Sequence, residues 1–326
     1  MDVTVAPGTY VVAVSGGVDS MALLDLLVKQ VHSPQSTACL PVGKVHSNKR
    51  KEYSGSQLPA KSLKLIVAHF DHGIRDDSKQ DRLHVQQAAK HHGLPFIYDE
   101  AHLGPGTSEA EARKTRYAFL HGARKAAGAI AVITAHHQDD VLETAIINLL
   151  RGTNRRGLSA LKSHPNLHRP LLHMPKNELI AYAQLHGVKW REDSTNQDTT
   201  HLRNYVRHRI VSRFSDLERI KFLAHLGVLG TLNRQIDEVL INELHQQPHT
   251  HALDRHWFIM LPHTVAREVL ATWLRQRGVS NVDKKRLELL VSSAKTLHSG
   301  KRVDIDLKCY LQITADQLAL KHRERY

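Results

Sequence analysis

Ser15-Gly16-Gly17-Val18-Asp19-Ser20 follows the apolar, β-branched run Tyr10–Val14 and precedes the closely spaced apolar residues Met21–Val28, so the segment reads as strand, glycine loop and helix. No other stretch constrains the fold as strongly. At such a junction successive backbone N–H groups and the positive helix end form an anion site, and Gly16 and Gly17 let the backbone approach phosphate oxygens without a Cβ clash. Ser15 and Ser20 add hydroxyls, and Asp19 is placed to hold Mg2+ or a reacting amine beside the phosphates. The Gly-Lys-Ser/Thr ending of a Walker A loop is missing.

The next segments repeat the same alternation. Leu63–Ala68 reads as a buried strand, Gln80–His91 as a helix stopped by Gly93, Pro95–Tyr98 as a short strand and Glu109–Ala127 as a helix. Ala129–Thr134 is another apolar strand, followed by a helix from about Asp139 to Leu150. Strands alternating with helices imply right-handed βαβ units, hence an α/β fold with a doubly wound parallel sheet covered on both faces. His32–Lys61 is rich in Ser, Lys, Pro and Gly without apolar period, and is expected to be a mobile basic insertion. From about Ser215 the pattern changes to helices such as Val265–Arg277 and Lys284–Leu297, then to a strand-like end over Arg302–Leu320. Two domains are expected, 1–214 and a smaller, mixed α/β 215–326.

Lys and Arg total 45 against 32 Asp and Glu, a formal net charge of +13 and a pI of about 9.8, which favours a polyanionic partner such as nucleic acid. No stretch approaches the roughly 18 apolar residues of a spanning helix, and the start lacks a secretory signal, so no membrane association and a cytoplasmic location are expected. Cys39 and Cys309, far apart, support neither a disulfide framework nor a cysteine zinc site.

The string SGGVDS resembles the signature of the PP-loop ATPases, with their adenine nucleotide alpha hydrolase-like fold, which cleave ATP between the α and β phosphates and transfer AMP to an oxygen. On its own it leaves amidating synthetases and tRNA sulfur-transfer enzymes open. Further segments, in order, resemble tRNA(Ile)-lysidine synthetase: His69–Arg75 with Ser78 and Asp81, Glu111–Tyr117, Thr134–Thr144 with its His136-His137-Gln138-Asp139-Asp140 core, Arg151–Thr153 with Arg155–Leu158, Arg169–Leu172, Trp190–Asn196 and Leu202–Arg209. The resemblance is strong over about Val11–Ile210 and weaker over Leu226–Leu320.

This resemblance implies the substrates ATP, free lysine and the isoleucine tRNA with a CAU anticodon, with Mg2+ as cofactor. ATP adenylates the C2 carbonyl oxygen of the wobble cytidine; the ε-amino group of lysine then attacks C2, giving lysidine, AMP and pyrophosphate. It implies nucleotide binding by Ser15, Gly16, Gly17, Val18, Asp19, Ser20, Ala68, His69 and His136, and substrate binding by His72, Arg113, Asp139, Glu143, Arg151 and Asn204. Asp19, Arg116, Asp140, Arg203 and Arg207 are the implied catalytic residues, with Asp19 also a magnesium ligand. Arg113 and Arg116, three apart, share a helix face, as do Arg203 and Arg207, four apart. Asp140 is favoured as the carboxylate that orients or deprotonates the amine. The basic, glycine-containing loop Arg151–Leu158 is expected at the active-site edge in contact with tRNA. The C-terminal domain is expected to bind tRNA, and a homodimer is compatible with the resemblance. A tRNA thiolase is the enzymatic rival, opposed by the scattered cysteines, and a non-catalytic RNA-binding protein is the rival of another class.

Overall fold

The computed structural model describes residues 3–32, 62–73, 78–101, 107, 109–159, 161–192, 202–246, 252–279 and 282–323. Of the segments singled out above, the insertion from 33 to 61 with Cys39, Ile74 and Arg75, and Asp193–Asn196 lie outside these residues.

The described chain divides into two compact units, residues 1–147 with 161–215 and residues 148–160 with 216–326. The first is built on a five-stranded sheet of β1 (Gly8–Ala13), β2 (Leu63–Asp71), β3 (Phe96–Glu100), β4 (Ala131–Ile133) and β5 (Leu167–His168), in the order β3-β2-β1-β4-β5. Every pairing is parallel, with Val12 of β1 opposite Val67 of β2 and Ile133 of β4. The helices of this unit are α1 (Val18–His32), α2 (Ser78–His91), α3 (Glu109–Ala126), α4 (Gln138–Leu150, the last turn passing into the second unit), α6 (Lys176–Leu185) and α7 (Leu202–Tyr205), the last running into a π-helical turn at Val206–Ile210; the short α5 (Arg155–Leu158) belongs to the second unit.

The pleat of β1 divides the core. Tyr10, Val12 and Val14 face a cluster with Leu23, Leu24 and Leu27 of α1, Val85 of α2 and Leu179 of α6. Val11 and Ala13 face the other side, against Leu120 and Tyr117 of α3. With both faces covered, β1 needs no polar alternation, and the apolar run Tyr10–Val14 follows from that. Strand order reverses between β1 and β4, so their carboxyl ends open a crevice at the switch point, where ligands of such sheets bind.

The second unit carries α8 (Asp216–His245), β6 (Ala252–Asp254), α9 (Arg255–Met260), α10 (His263–Gln276), α11 (Lys284–Thr296) and β7 (Arg302–Asp304), β8 (Cys309–Ile313) and β9 (Gln317–His322). Its sheet is antiparallel, in the order β6-β9-β8-β7, over a core of Phe258, Leu270, Trp273, Leu290, Leu311 and Leu318. Within the strand-like end Arg302–Leu320, β7 and β8 form an antiparallel hairpin. The Asp306 carboxylate accepts the N–H groups of Lys308 and Cys309 at 2.7 and 2.8 Å, a side-chain turn that reverses the chain and leaves Leu307 92% exposed.

Segment 148–160 departs from the expected domain division. It belongs to the second unit, where Arg155 binds Asp237 at 2.7 Å, Glu268 at 3.0 Å and the Asn233 side chain at 3.0 Å, and Arg156 also pairs with Asp237. Two guanidinium groups read as tRNA contacts are thus engaged inside the protein, because α8 and α10 present carboxylates that local sequence does not reveal. Among the described residues no helix is long and apolar enough to cross a membrane.

Candidate active site

The glycine loop sits at the carboxyl end of β1, and its shape depends on one hydroxyl. Ser20 Oγ accepts the N–H groups of Ser15 and Gly16, each at 3.2 Å, and donates to the Gly17 carbonyl at 2.9 Å. Ser20, read as a phosphate donor, therefore shapes the turn. Gly16 has φ +98°, which a side chain rarely adopts. Behind the loop, the Arg191 amide donates to the Gly16 carbonyl at 3.0 Å while its guanidinium binds buried Asp81 at 2.6 Å, so the Trp190-Arg191 motif buttresses the turn. The N–H groups of Gly17, Val18 and Asp19 have no acceptor among the described residues, leaving three successive donors at the start of α1.

A cavity of about 430 Å³ opens beside the loop. Ser15, Asp19, Ser20, Ala68, His69, His72, Arg116, His136 and Asp140 all line it. His69 is 3% exposed, with Nδ1 2.9 Å from the Val14 carbonyl, and burial holds its pKa below the ordinary value, as a neutral ring against the strand end requires.

At the end of β4 the chain enters α4 through a reciprocal cap. The His137 N–H donates to Asp140 Oδ2 at 2.9 Å, and the Asp139 N–H donates to His137 Nδ1 at 3.3 Å. This is the arrangement of a capping box, with an imidazole in place of the usual hydroxyl. Because Nδ1 accepts, the proton of the neutral ring sits on Nε2, which lies 3.5 Å from both Asp19 Oδ2 and Asp140 Oδ2. Burial lowers the His137 pKa, but the Asp19 side chain and the Asp140 charge outweigh it and leave it raised. Burial conversely raises Asp140, and His137, His136, the His137 amide and Arg207 outweigh it, holding Asp140 as a carboxylate. Lys176 Nζ also approaches Asp19 Oδ2, at 3.7 Å.

His136 answers to a different field. Its Nδ1 lies 2.8 Å from Thr134 Oγ1. Burial, reinforced by the charges of Arg169, Arg113 and Arg116 against the pull of Asp140, lowers its pKa to about 3, so it is a neutral group at the cavity wall.

The remaining expected residues divide. Arg207 clasps Glu143 in bidentate fashion, Nε to Oε1 at 2.6 Å and Nη2 to Oε2 at 3.1 Å, and Arg203 adds a longer contact at 3.4 Å. The two arginines, four apart, thus meet one partner. Glu143, read as a substrate-binding residue, is 0% exposed and serves as their anchor, since a buried carboxylate needs this pairing. Arg113 lies over the Tyr117 ring at 5.0 Å, and neither it nor Asp139 nor Asn204 lines the cavity. Arg151 is exposed and belongs to the second unit. His137 and Lys176 are the site residues that sequence reasoning missed. A signal existed for His137: it precedes Gln138-Asp139-Asp140 at a helix start, with an acid three residues on.

The family profile described as the PP-loop domain matches residues 4–214. The chain belongs to the PP-loop domain family. This match covers the first unit's loop, cavity and α4 cap, and it implies use of ATP, consistent with the three open amides at the start of α1. The chain is 33% identical over 213 residues to a tRNA(Ile)-lysidine synthase of Thermotoga sp. (strain RQ2), covering 63% of this chain and 45% of that protein. It is 37% identical over 203 residues to one of Thermus thermophilus, covering 60% and 34%. Against one of Lactiplantibacillus plantarum it is 31% identical over 299 residues, covering 87% and 60%. The chain therefore spans about a third to three fifths of the length of these curated relatives. Among solved structures the U34-tRNA thiolase NcsA of Methanococcus maripaludis superposes with a TM-score of 0.50 at 14% identity, over 68% of this chain and 71% of that one, a likeness of fold.

Asp19 Oδ1 is buried and has no hydrogen-bond partner, while Oδ2 faces His137 and Lys176. An uncompensated carboxylate oxygen next to a phosphate site fits a hard, oxygen-seeking ion such as Mg2+.

Proposed function

We propose that this PP-loop protein ligates free lysine to the wobble cytidine of the CAU-anticodon isoleucine tRNA, through an adenylated intermediate. The relatives it matches are named tRNA(Ile)-lysidine synthase, and one observation in the site carries the reading: a carboxylate, Asp140, stands in the same cavity as the phosphate loop, tied to it through His137 and Asp19.

The open amides of Gly17–Asp19 receive the phosphates of ATP, and Arg116 disperses charge at the phosphate under attack. Mg2+, held by Asp19, would neutralise the phosphate oxygens. The cytosine O2 attacks the α phosphorus and pyrophosphate leaves. Lysine arrives as an ammonium, which has no lone pair to attack with. Asp140, kept ionised by its neighbours, binds that ammonium and takes one proton as the Nε–C2 bond forms and AMP departs. Neutral His136 presents a polar wall without a competing positive charge. The +13 net charge and the second unit supply the tRNA contacts in this reading.

The deciding experiment is mass analysis of tRNA nucleosides after incubation with ATP and isotopically labelled lysine. A labelled cytidine adduct with equimolar AMP is expected. Modification of that tRNA without label, or ATP turnover with unmodified tRNA, overturns the proposal.

A further inference from the structure

The glycine loop contains no cation, and among the charged residues lining the cavity only Arg116 is an always-charged base, although ATP brings a triphosphate. Lys176 brings an ammonium to the loop from outside it. It is the first residue of α6, its Nζ lies 3.7 Å from Asp19 Oδ2, and its side chain is 33% exposed, so its charge is neither buried nor committed to a close ion pair. Nor is its place accidental. Tyr182 of α6 donates to Asp25 of α1 at 2.6 Å and accepts from Lys29 at 2.8 Å, locking the two helices side by side. The residue before Pro175 is fixed as well, because the Gln138 amide at the start of α4 donates to the Met174 carbonyl at 2.9 Å. Three helix starts, Val18, Gln138 and Lys176, are thereby held around Asp19.

We propose that Lys176 is a phosphate-binding residue of the nucleotide site, supplied by α6, that contacts the pyrophosphate portion of ATP. It does from a distant segment what the lysine of a Walker A loop does from within the loop. Lys176 does not line the cavity that the nucleoside end would fill; it flanks the loop whose open amides take phosphate, which places its ammonium over the leaving group. The Asp19 contact keeps the flexible side chain aimed there when no nucleotide is present. This inference rests on the ATP part of the reading above and is independent of lysine and tRNA.

Calorimetric titration of the full chain with α,β-methylene-ATP, with pyrophosphate and with AMP tests it. Lys176→Met is expected to weaken the first two by about ten- to a hundredfold, the loss of one charge-assisted hydrogen bond, and to leave AMP within about twofold. Lys176→Arg is expected to retain most of the affinity. The position is partly exposed, and an unchanged melting temperature checks that the variant folds. Equal binding of all three ligands by Lys176→Met and wild type overturns the proposal. An equal loss for AMP overturns it too, since Lys176 would then act by shaping Asp19 and the loop. If the wild type binds neither ATP analogue nor pyrophosphate, this inference and the adenylation reading fall together, whereas absence of lysine transfer alone leaves it standing.

Discussion

His137 Nε2 lies 3.5 Å from Asp19 Oδ2, joining the N-cap of α4 to the glycine loop after β1. The imidazole is 2% exposed and performs two tasks at once: Nδ1 caps the helix, and Nε2 faces the two carboxylates whose spacing the proposed chemistry depends on.

Replacing His137 with Ala is expected to cost about 1 to 2 kcal/mol, the range for a lost N-cap, as read from the urea midpoint. His137→Asn, which can still cap, is expected to recover most of that stability yet leave Asp19 without its facing N–H donor. A fully stable alanine variant would show that the cap contributes nothing.

Arg207→Ala leaves the buried Glu143 carboxylate with the longer Arg203 contact in place of its bidentate pair, and the expected destabilisation is about 3 kcal/mol, because breaking a buried pair leaves its charge poorly compensated. Removing both charges, Glu143→Gln with Arg207→Ala, is expected to be milder than the sum of the single changes. Additivity in this double-mutant cycle would mean the two groups do not interact.

His136 and His137 are expected to give pH dependences of opposite sign. An unfolded histidine titrates near 6.5, while folded His136 is lowered to about 3. Between those values the unfolded chain binds a proton that the folded chain refuses, so stability falls on acidification by at most about 1.4 kcal/mol per pH unit from this residue. His137 is raised instead, so its contribution is fully present below 6.5 and is lost as pH climbs through its folded pKa. Melting temperature against pH should show a flatter acid limb in His136→Gln, and in His137→Asn a smaller loss of stability above pH 6.5. Superimposable curves for wild type and both variants would refute this assignment.

In the second unit, Arg155→Ala is expected to free segment 148–160 from α8 and α10, since it removes contacts to Asp237, Glu268 and Asn233 together. Limited trypsinolysis is the measurement, with cleavage at Arg151 or Arg156 expected about tenfold faster than in the wild type. Unchanged cleavage would place the restraint on this segment elsewhere.

Much of the fold was legible in the chain because its signals are local. A β-branched run, two glycines and a following apolar helix are neighbours in sequence, and so are the strand Ala131–Ile133 and the acids that start α4; parallel order then follows from the length of the crossovers. The spacing of Arg203 and Arg207 put them on one helix face, and the structure turns that face to Glu143. What local pattern could not supply was the identity of partners brought from far along the chain. Glu143 looked as available as Asp140 on α4, yet one turn of helix carries it into the core beneath the arginines while Asp140 stays at the cavity. Arg155 and Arg156 looked like free basic residues until α8 and α10 folded their carboxylates against them. Lys176, 157 residues after Asp19, gave no motif of its own. Backbone periodicity is set by neighbours within about a turn, whereas the charge a side chain meets is set by whatever the packed sheet and helices bring within a few ångströms, and only the tertiary structure decides that.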